Sequence, residues 1–116
     1  MPMQMERAPF EELVNRALDD IPDELSSLIR NVVVLVEDEA PVDDPHLLGL
    51  YDGVALTERP ANHAGLPDQI FIFRGPLLEM CDDEEHLERE VQITVVHEVA
   101  HHFGIDDARL HELGYA

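Results

Sequence analysis

The chain has little positive charge and a single cysteine. Only 7 lysine and arginine residues accompany 26 aspartate and glutamate residues, which gives a formal net charge of -19 over 116 residues. Such a surface repels phosphate groups over about 8 Å at physiological salt, so we expect neither a nucleic acid partner nor a membrane partner. Cys81 has no second cysteine to pair with, which excludes an internal disulfide.

Long apolar segments and export signals are also missing. The longest aliphatic run, "VVVLV" at 32–36, is much shorter than the ~20 residues of a membrane-spanning helix. The N-terminal sequence "MPMQMERAPFEELV" lacks the basic and apolar regions of a secretory signal. We therefore expect a soluble, cytoplasmic protein.

The rest of the composition is typical of a folded domain. Hydrophobic residues make up 45% of the chain, and a domain of this size buries roughly two-thirds of the surface that its unfolded chain exposes. No repeat, linker or low-complexity segment divides the sequence. We predict one domain over residues 1–116.

Helical periodicity marks both ends of the chain. In the N-terminal part it predicts a helix over 9–20 with Pro9 at its first position, then a short helix in "PDELSSLIR". In the C-terminal part Asp82 is predicted to cap a long helix that runs to about Phe103. Gly104 would end this helix in the left-handed conformation that glycine adopts readily. A last helix, "ARLHEL", follows.

The middle of the chain is typical of a small sheet. "NVVVLVED" is aliphatic without alternation, which predicts a central strand buried on both faces. The acidic segment 37–46 contains two prolines and is predicted to be a loop. Asp52-Gly53 between two apolar runs predicts a hairpin, and "RGPLLEMC" predicts a turn with a short helical piece. The further predicted strands are 47–51, 54–58 and 69–73. The pattern predicts an α+β fold with three to four strands.

The segment "VVHEVAHHFGIDD" carries the candidate chemistry. On a helix, His97 and His101 are offset by only about 40° and about 6 Å, so both imidazoles can bind one metal ion. Glu98 projects about 100° away from His97, where it can contact a water bound to the metal. A catalytic zinc site has three protein ligands and leaves its fourth position to water. The motif therefore supplies two ligands and a candidate general base.

The third ligand is expected after the turn at Gly104. Asp107 is the first candidate, because it lies three residues beyond the glycine and can face the two histidines. Asp107 could instead be only the N-cap of the last helix, as could Asp106. Asp106, His111 and Glu112 are the other candidate ligands.

The surroundings of the histidines favour a bound metal over a purely structural role. Glu90, Thr94, His97 and His101 lie along one side of a helix that is otherwise mostly apolar and is expected to be buried nearly all round. An unpaired polar group in such a place costs on the order of 1 to 3 kcal/mol. The alternative is that both histidines are core residues bonded to backbone groups. His102 points off this side and is expected at the surface or behind the ligands.

At this point the sequence resembles a known family. "HEVAHHFGIDD" is similar to the extended zincin signature of the metzincin type, with aspartate in place of the usual third histidine. "LVNRALDDIP", "LGLYDGVALTER" and "LPDQIFIF" precede it in an order that resembles the small bacterial zincin-like metallopeptidases called minimal zincins. The resemblance implies a small mixed β-sheet packed against an active-site helix. It also implies one Zn²⁺ per chain, held by His97, His101 and Asp107, with Glu98 as the catalytic glutamate.

The resulting expectation is a zinc-dependent metallopeptidase. Peptide bonds would be hydrolysed through a zinc-activated water with Glu98 as general base. A peptide or protein substrate would add as an extended strand to an exposed sheet edge. Candidate donors to the developing oxyanion are Tyr51, Arg59, His111 and Tyr115.

A different class of function competes with this one. The chain is short for a closed substrate cleft and is strongly acidic. It could therefore be a metal-binding or protein-interaction module that keeps the zincin scaffold, with weak or no catalysis and an unidentified protein partner. Glu98 favours the peptidase, because a purely structural zinc site has no use for it.

Overall fold

A computed structural model gives the structure of residues 3–27, 29, 31–53, 67–106, 108–109 and 112. Within these residues the helices and strands follow one another in mixed order. They are α1 (Arg7–Asp19), α2 (Asp23–Ser26), β1 (Val32–Glu37), β2 (Gly49–Asp52), β3 (Asp68–Phe73), α3 (Arg74–Met80) and α4 (Glu84–His102). No helix in this part of the chain is long and apolar enough to cross a membrane.

The three strands form one mixed sheet in the order β1-β3-β2. β1 runs parallel to β3, and β2 runs antiparallel to it. The predicted α+β fold with a small mixed sheet is thereby confirmed. The prediction that residues 32–36 form the central strand is wrong for the strands described, because β3 occupies the centre and Val33 in β1 is 40% exposed. Aliphatic composition favours a strand but does not decide its place in the sheet.

The boundaries of the other predicted strands hold to within two residues. β2 begins at Gly49 rather than 47, and β3 begins at Asp68, one residue earlier than predicted. The segment from 38 to 48 contains turns and no helix or strand, as its prolines and carboxylates indicate. The predicted strand 54–58 lies outside the described residues.

One face of the sheet carries every second residue of β2 and β3. Asp68, Ile70 and Ile72 of β3 are all at most 4% exposed. Gly49 and Tyr51 of β2 pair with Ile72 and Ile70, so they lie on this same face. α4 packs across this face, which brings the predicted motif against β2 and β3.

The core lies between this sheet face and the helices. α1 packs on α4 with the buried side chains of Phe10, Leu13, Val14 and Ala17. It begins at Arg7, two residues before the predicted start, so Pro9 lies within its first turn, where a missing backbone N–H is tolerated. The short helical piece predicted in "RGPLLEMC" is α3, which also packs against α4.

α4 has a defined start and end. The carboxylate of Asp83 accepts a hydrogen bond from the backbone N–H of His86 at 2.8 Å, so the cap is one residue later than the predicted Asp82. The helix ends at His102, and Gly104 follows with a φ of 83°, in the left-handed region. No residue from 93 to 103 is exposed, so the C-terminal half of α4 is enclosed on all sides.

Two arginines tie the N-terminal segment to the end of β1. Arg74 Nε donates to Asp38 Oδ1 at 3.0 Å, and Arg7 Nη1 donates to the same oxygen at 3.2 Å. The hydrogen bond and charge of Arg74, with the charge of Arg7, lower the pKa of Asp38. Arg74 also donates to the backbone oxygen of Met5 at 2.6 Å, and Arg7 donates to that of Val36. The start of α1, the end of β1 and the start of α3 are thereby joined.

Candidate metal centre

The two histidines of the motif lie side by side in the last two turns of α4. Their ring centroids are 4.8 Å apart with an angle of 67° between the ring planes, and both residues are half-buried. Four residues separate His97 from His101, which places them on one face of the helix. The arrangement can present two imidazole nitrogens to one ion from a partly open position.

Glu98 lies on a different face of the same helix and is only 7% exposed. Thr94 and His102 are four residues before and after it, and both are also buried. These three residues form a buried polar stripe, Thr94–Glu98–His102, that packs beneath the sheet. The carboxylate bearing the candidate catalytic role is therefore held next to the histidine pair but outside it.

Gly49 allows β2 to approach this polar stripe closely. A Cβ atom at residue 49 would lie 2.7 Å from Thr94 Cγ2, 3.2 Å from Glu98 Cγ and 3.2 Å from the backbone oxygen of Phe71. The first distance is shorter than any ordinary carbon–carbon contact. The position of Glu98 relative to the sheet thus depends on the absence of a side chain at residue 49.

The end of the polar stripe enters a buried hydrogen-bonded cluster. His102 Nδ1 is 3.2 Å from Asp68 Oδ2, and Tyr51 donates its hydroxyl proton to the same carboxylate oxygen. His102 is 0% exposed and Asp68 4% exposed. The expectation that His102 lies at the surface is wrong, because its spacing from Thr94 and Glu98 places it on the face that packs against the sheet.

Tyr51 is the only described residue among the four candidate oxyanion donors. Besides its hydrogen bond to Asp68, its ring makes an edge contact with that of His102, with centroids 6.0 Å apart. Its hydroxyl therefore faces the buried cluster, and a role as oxyanion donor stays a prediction. Arg59, His111 and Tyr115 lie outside the described residues.

The third metal ligand also lies beyond what the structure describes. No group of three metal-binding side chains occurs among the described residues, and Asp107 is not one of them. Two of the alternative ligands make local contacts instead. Asp106 accepts a hydrogen bond from the backbone N–H of Arg109 at 2.9 Å, and Glu112 pairs with the Arg109 side chain at 2.8 Å. Asp106 thus acts as the helix cap for which it was one of two candidates.

Gly49 and Asp68 are positions at this centre that the sequence did not single out. The pattern did contain a signal for Asp68, since it alternates with Ile70 and Ile72 and so shares their buried face. The role of Gly49 had no comparable signal. A glycine in a strand indicates only that some other group comes close, and not which one.

Comparison with known proteins agrees with this geometry. The sequence model of the zincin-like metallopeptidases matches residues 29–115, which include the sheet and α4. The chain belongs to the zincin-like metallopeptidase family.

A solved structure similar to this zincin-like protein comes from Thermus thermophilus and is described as a conserved hypothetical protein. The two are 26% identical, with a TM-score of 0.59, and the match covers 85% of this chain and 94% of the other. A comparison with curated protein sequences gave no significant match. The likeness supports the fold and the family, while the activity has to be argued from the residues.

Proposed function

We propose that this zincin-like protein is a zinc-dependent metallopeptidase that hydrolyses peptide bonds. The observation that carries the proposal is the arrangement on α4. Two half-buried imidazoles lie 4.8 Å apart on one face, and a buried carboxylate, Glu98, lies on the next. A site built only to hold a metal would not need this glutamate beside its ligands. Membership of the family supports the same reaction class.

The donor set fits zinc as far as it is described. Imidazole nitrogen is a common zinc ligand, and two histidines four apart on a helix can bind one ion. His97 and His101 would hold the metal together with Asp107. The left-handed turn at Gly104 supports that third ligand, because it ends α4 two residues after His102 and redirects the chain. The engagement of Asp106 as a helix cap also favours its neighbour over it.

Zinc, when bound, would supply Lewis acidity that makes water a better nucleophile near neutral pH and polarises the scissile carbonyl group. Glu98 would accept the proton of the attacking water and deliver it to the nitrogen of the departing amine. Its burial beneath β2 supports this role, since Gly49 and Thr94 restrict the positions that its side chain can adopt. A carboxylate held in one place exchanges protons with a substrate more effectively than a mobile one.

The substrate would be an extended peptide or a protein segment. A peptide that pairs with the sheet through its main chain is held with little dependence on its side chains. β2 is the described strand that contacts α4 closest to Glu98. A peptide bound on this side of the sheet would therefore pass close to the histidine pair.

The proposal is tested first by metal content and then by one substitution. Protein purified without chelator or metal-affinity resin should contain about one zinc per chain by mass spectrometry, and His101→Ala should contain none. Glu98→Gln should keep the zinc and lose hydrolysis of a peptide library by a factor of about 100 or more. Zinc binding without any hydrolysis by the wild type would favour the non-catalytic module. An absence of zinc even after dialysis against it would refute the metal centre.

A further inference from the structure

The residue that follows His101 is fixed more firmly than its place at a helix end would suggest. Helix termini fray, because their last four carbonyl groups have no partner within the helix. His101 lies in this last turn, yet His102 beside it is 0% exposed and hydrogen-bonded to the sheet. The last turn of α4 is therefore tethered from outside the helix.

The tether consists of three side chains from three separate elements. Tyr51 comes from β2, Asp68 from the first position of β3, and His102 from the end of α4. One oxygen, Asp68 Oδ2, accepts from the tyrosine hydroxyl and is 3.2 Å from His102 Nδ1. Because an ionised carboxylate only accepts hydrogen bonds, the proton of this contact is on Nδ1. We refer to these residues as the Tyr51–Asp68–His102 cluster.

Hydrogen bonds in this cluster constrain α4 in a way that apolar packing does not. Apolar side chains such as Val95 and Val99 attract the sheet without a preferred direction, so they leave rotation of the helix weakly determined. The outer atoms of a helix lie about 6 Å from its axis, so a rotation of about 10° moves an imidazole by roughly 1 Å. A displacement of this size at a reacting centre can cost about 100-fold in rate.

We propose that the Tyr51–Asp68–His102 cluster is a positioning device that fixes the last turn of α4, and with it the imidazole of His101, for metal binding. The proposal rests on the zinc site proposed above. It assigns no contact between the cluster and the substrate, so its members are positioning residues. It also gives Tyr51 a function in the buried cluster that is distinct from donation to an oxyanion.

Two conservative substitutions test the proposal. Tyr51→Phe removes one hydroxyl group and keeps the ring, and Asp68→Asn keeps the shape of the side chain and removes its charge. Val91→Ala is the matched control, because Val91 is also 0% exposed and on α4 but lies eleven residues before His102. Zinc affinity is measured by competition with a chelating dye, and the melting temperature of the metal-free protein is measured alongside. Cobalt(II) is substituted for zinc, and its visible absorption reports the ligand geometry.

We expect Tyr51→Phe and Asp68→Asn to weaken zinc binding by roughly 3- to 10-fold, the effect of losing one buried hydrogen bond. The cobalt(II) spectrum should shift in both. Val91→Ala should lower the melting temperature at least as much and leave zinc affinity and spectrum unchanged. If Asp68→Asn does not fold, Tyr51→Phe decides the result.

The outcomes separate this proposal from the function on which it rests. Wild-type protein that binds no zinc refutes both. Zinc bound by the wild type with equal affinity in Tyr51→Phe refutes the positioning role alone and leaves the metallopeptidase proposal in place. Equal weakening in Tyr51→Phe and Val91→Ala also refutes it, because the effect would then be one of general stability.

Discussion

Gly49 is where β2 comes closest to the polar stripe of α4, and replacing it with alanine tests whether that closeness positions Glu98. The added Cβ would lie 2.7 Å from Thr94 Cγ2, about 1 Å inside an ordinary carbon–carbon contact. Thr94 cannot easily turn away, because its hydroxyl donates to the backbone oxygen of Glu90 at 2.8 Å. The strand and the helix would have to separate instead.

The expected loss follows from this overlap. Inserting a methyl group into a packed interior typically costs 1–3 kcal/mol, and Gly49→Ala should lower the free energy of unfolding by about that amount. The backbone oxygen of Phe71 and the Cγ of Glu98, both at 3.2 Å, leave no free side for the strand to move toward. Glu98 would be displaced with the helix. We therefore expect hydrolysis to fall more than zinc content does.

A double-mutant cycle isolates the contact. Thr94→Ser removes the Cγ2 methyl but keeps the hydroxyl that bonds to Glu90. Urea unfolding of the wild type, both single variants and Gly49→Ala/Thr94→Ser should give a favourable coupling of about 1 kcal/mol. Peptide hydrolysis should recover in part in the double variant. Effects that add to within about 0.5 kcal/mol would show that the alanine does not act through the Thr94 methyl, which would refute the argument.

Three further predictions concern separate parts of the molecule. The lowered pKa of Asp38 stabilises the fold above the ordinary aspartate range, and this contribution is lost as pH falls through the folded-state pKa, so Asp38→Asn should be less stable than wild type at pH 7 by urea unfolding and equal to it in strong acid. Equal stability at pH 7 would contradict the role of its arginine partners. Burial, with the charges of Glu90, Asp82 and Asp83, raises the pKa of Cys81 from 9.0 to about 11, which lowers its thiolate fraction at pH 8 about 100-fold. Iodoacetamide should therefore label native protein at least 100 times more slowly than urea-unfolded protein, and similar rates would show that the thiol is accessible. Asp107→His should raise hydrolysis at pH 7, because a neutral imidazole leaves more positive charge at the site than a carboxylate, and lower hydrolysis with zinc still bound would refute this.

The elements of the fold were largely predictable because their signals are local. The spacing of apolar residues located α1 and α4, and Gly104 marked the end of α4. The strand residues of β3 were predictable to within one position, since an apolar run bounded by turn residues favours a strand whatever surrounds it. The order of the strands was not, because β1 and β3 have similar composition and only their pairing places β3 in the centre.

The candidate site divides in the same way. The spacing of His97, Glu98 and His101 alone predicts two imidazoles on one helical face and a carboxylate on the next, because helix geometry fixes these angles. A third ligand had to be inferred from the family resemblance and the turn at Gly104. The structure adds no evidence on Asp107, which lies outside the described residues.

What the sequence determined by itself was therefore the chemistry along one helix: its donor atoms, their spacing and the glycine that ends it. What only the tertiary structure decided was which groups from other elements meet that helix. Gly49 and Asp68 are 45 and 34 residues distant along the chain from Thr94 and His102, the residues they contact. Contacts across such separations depend on strand order and on the packing of α4 against the sheet, and no local pattern specifies them.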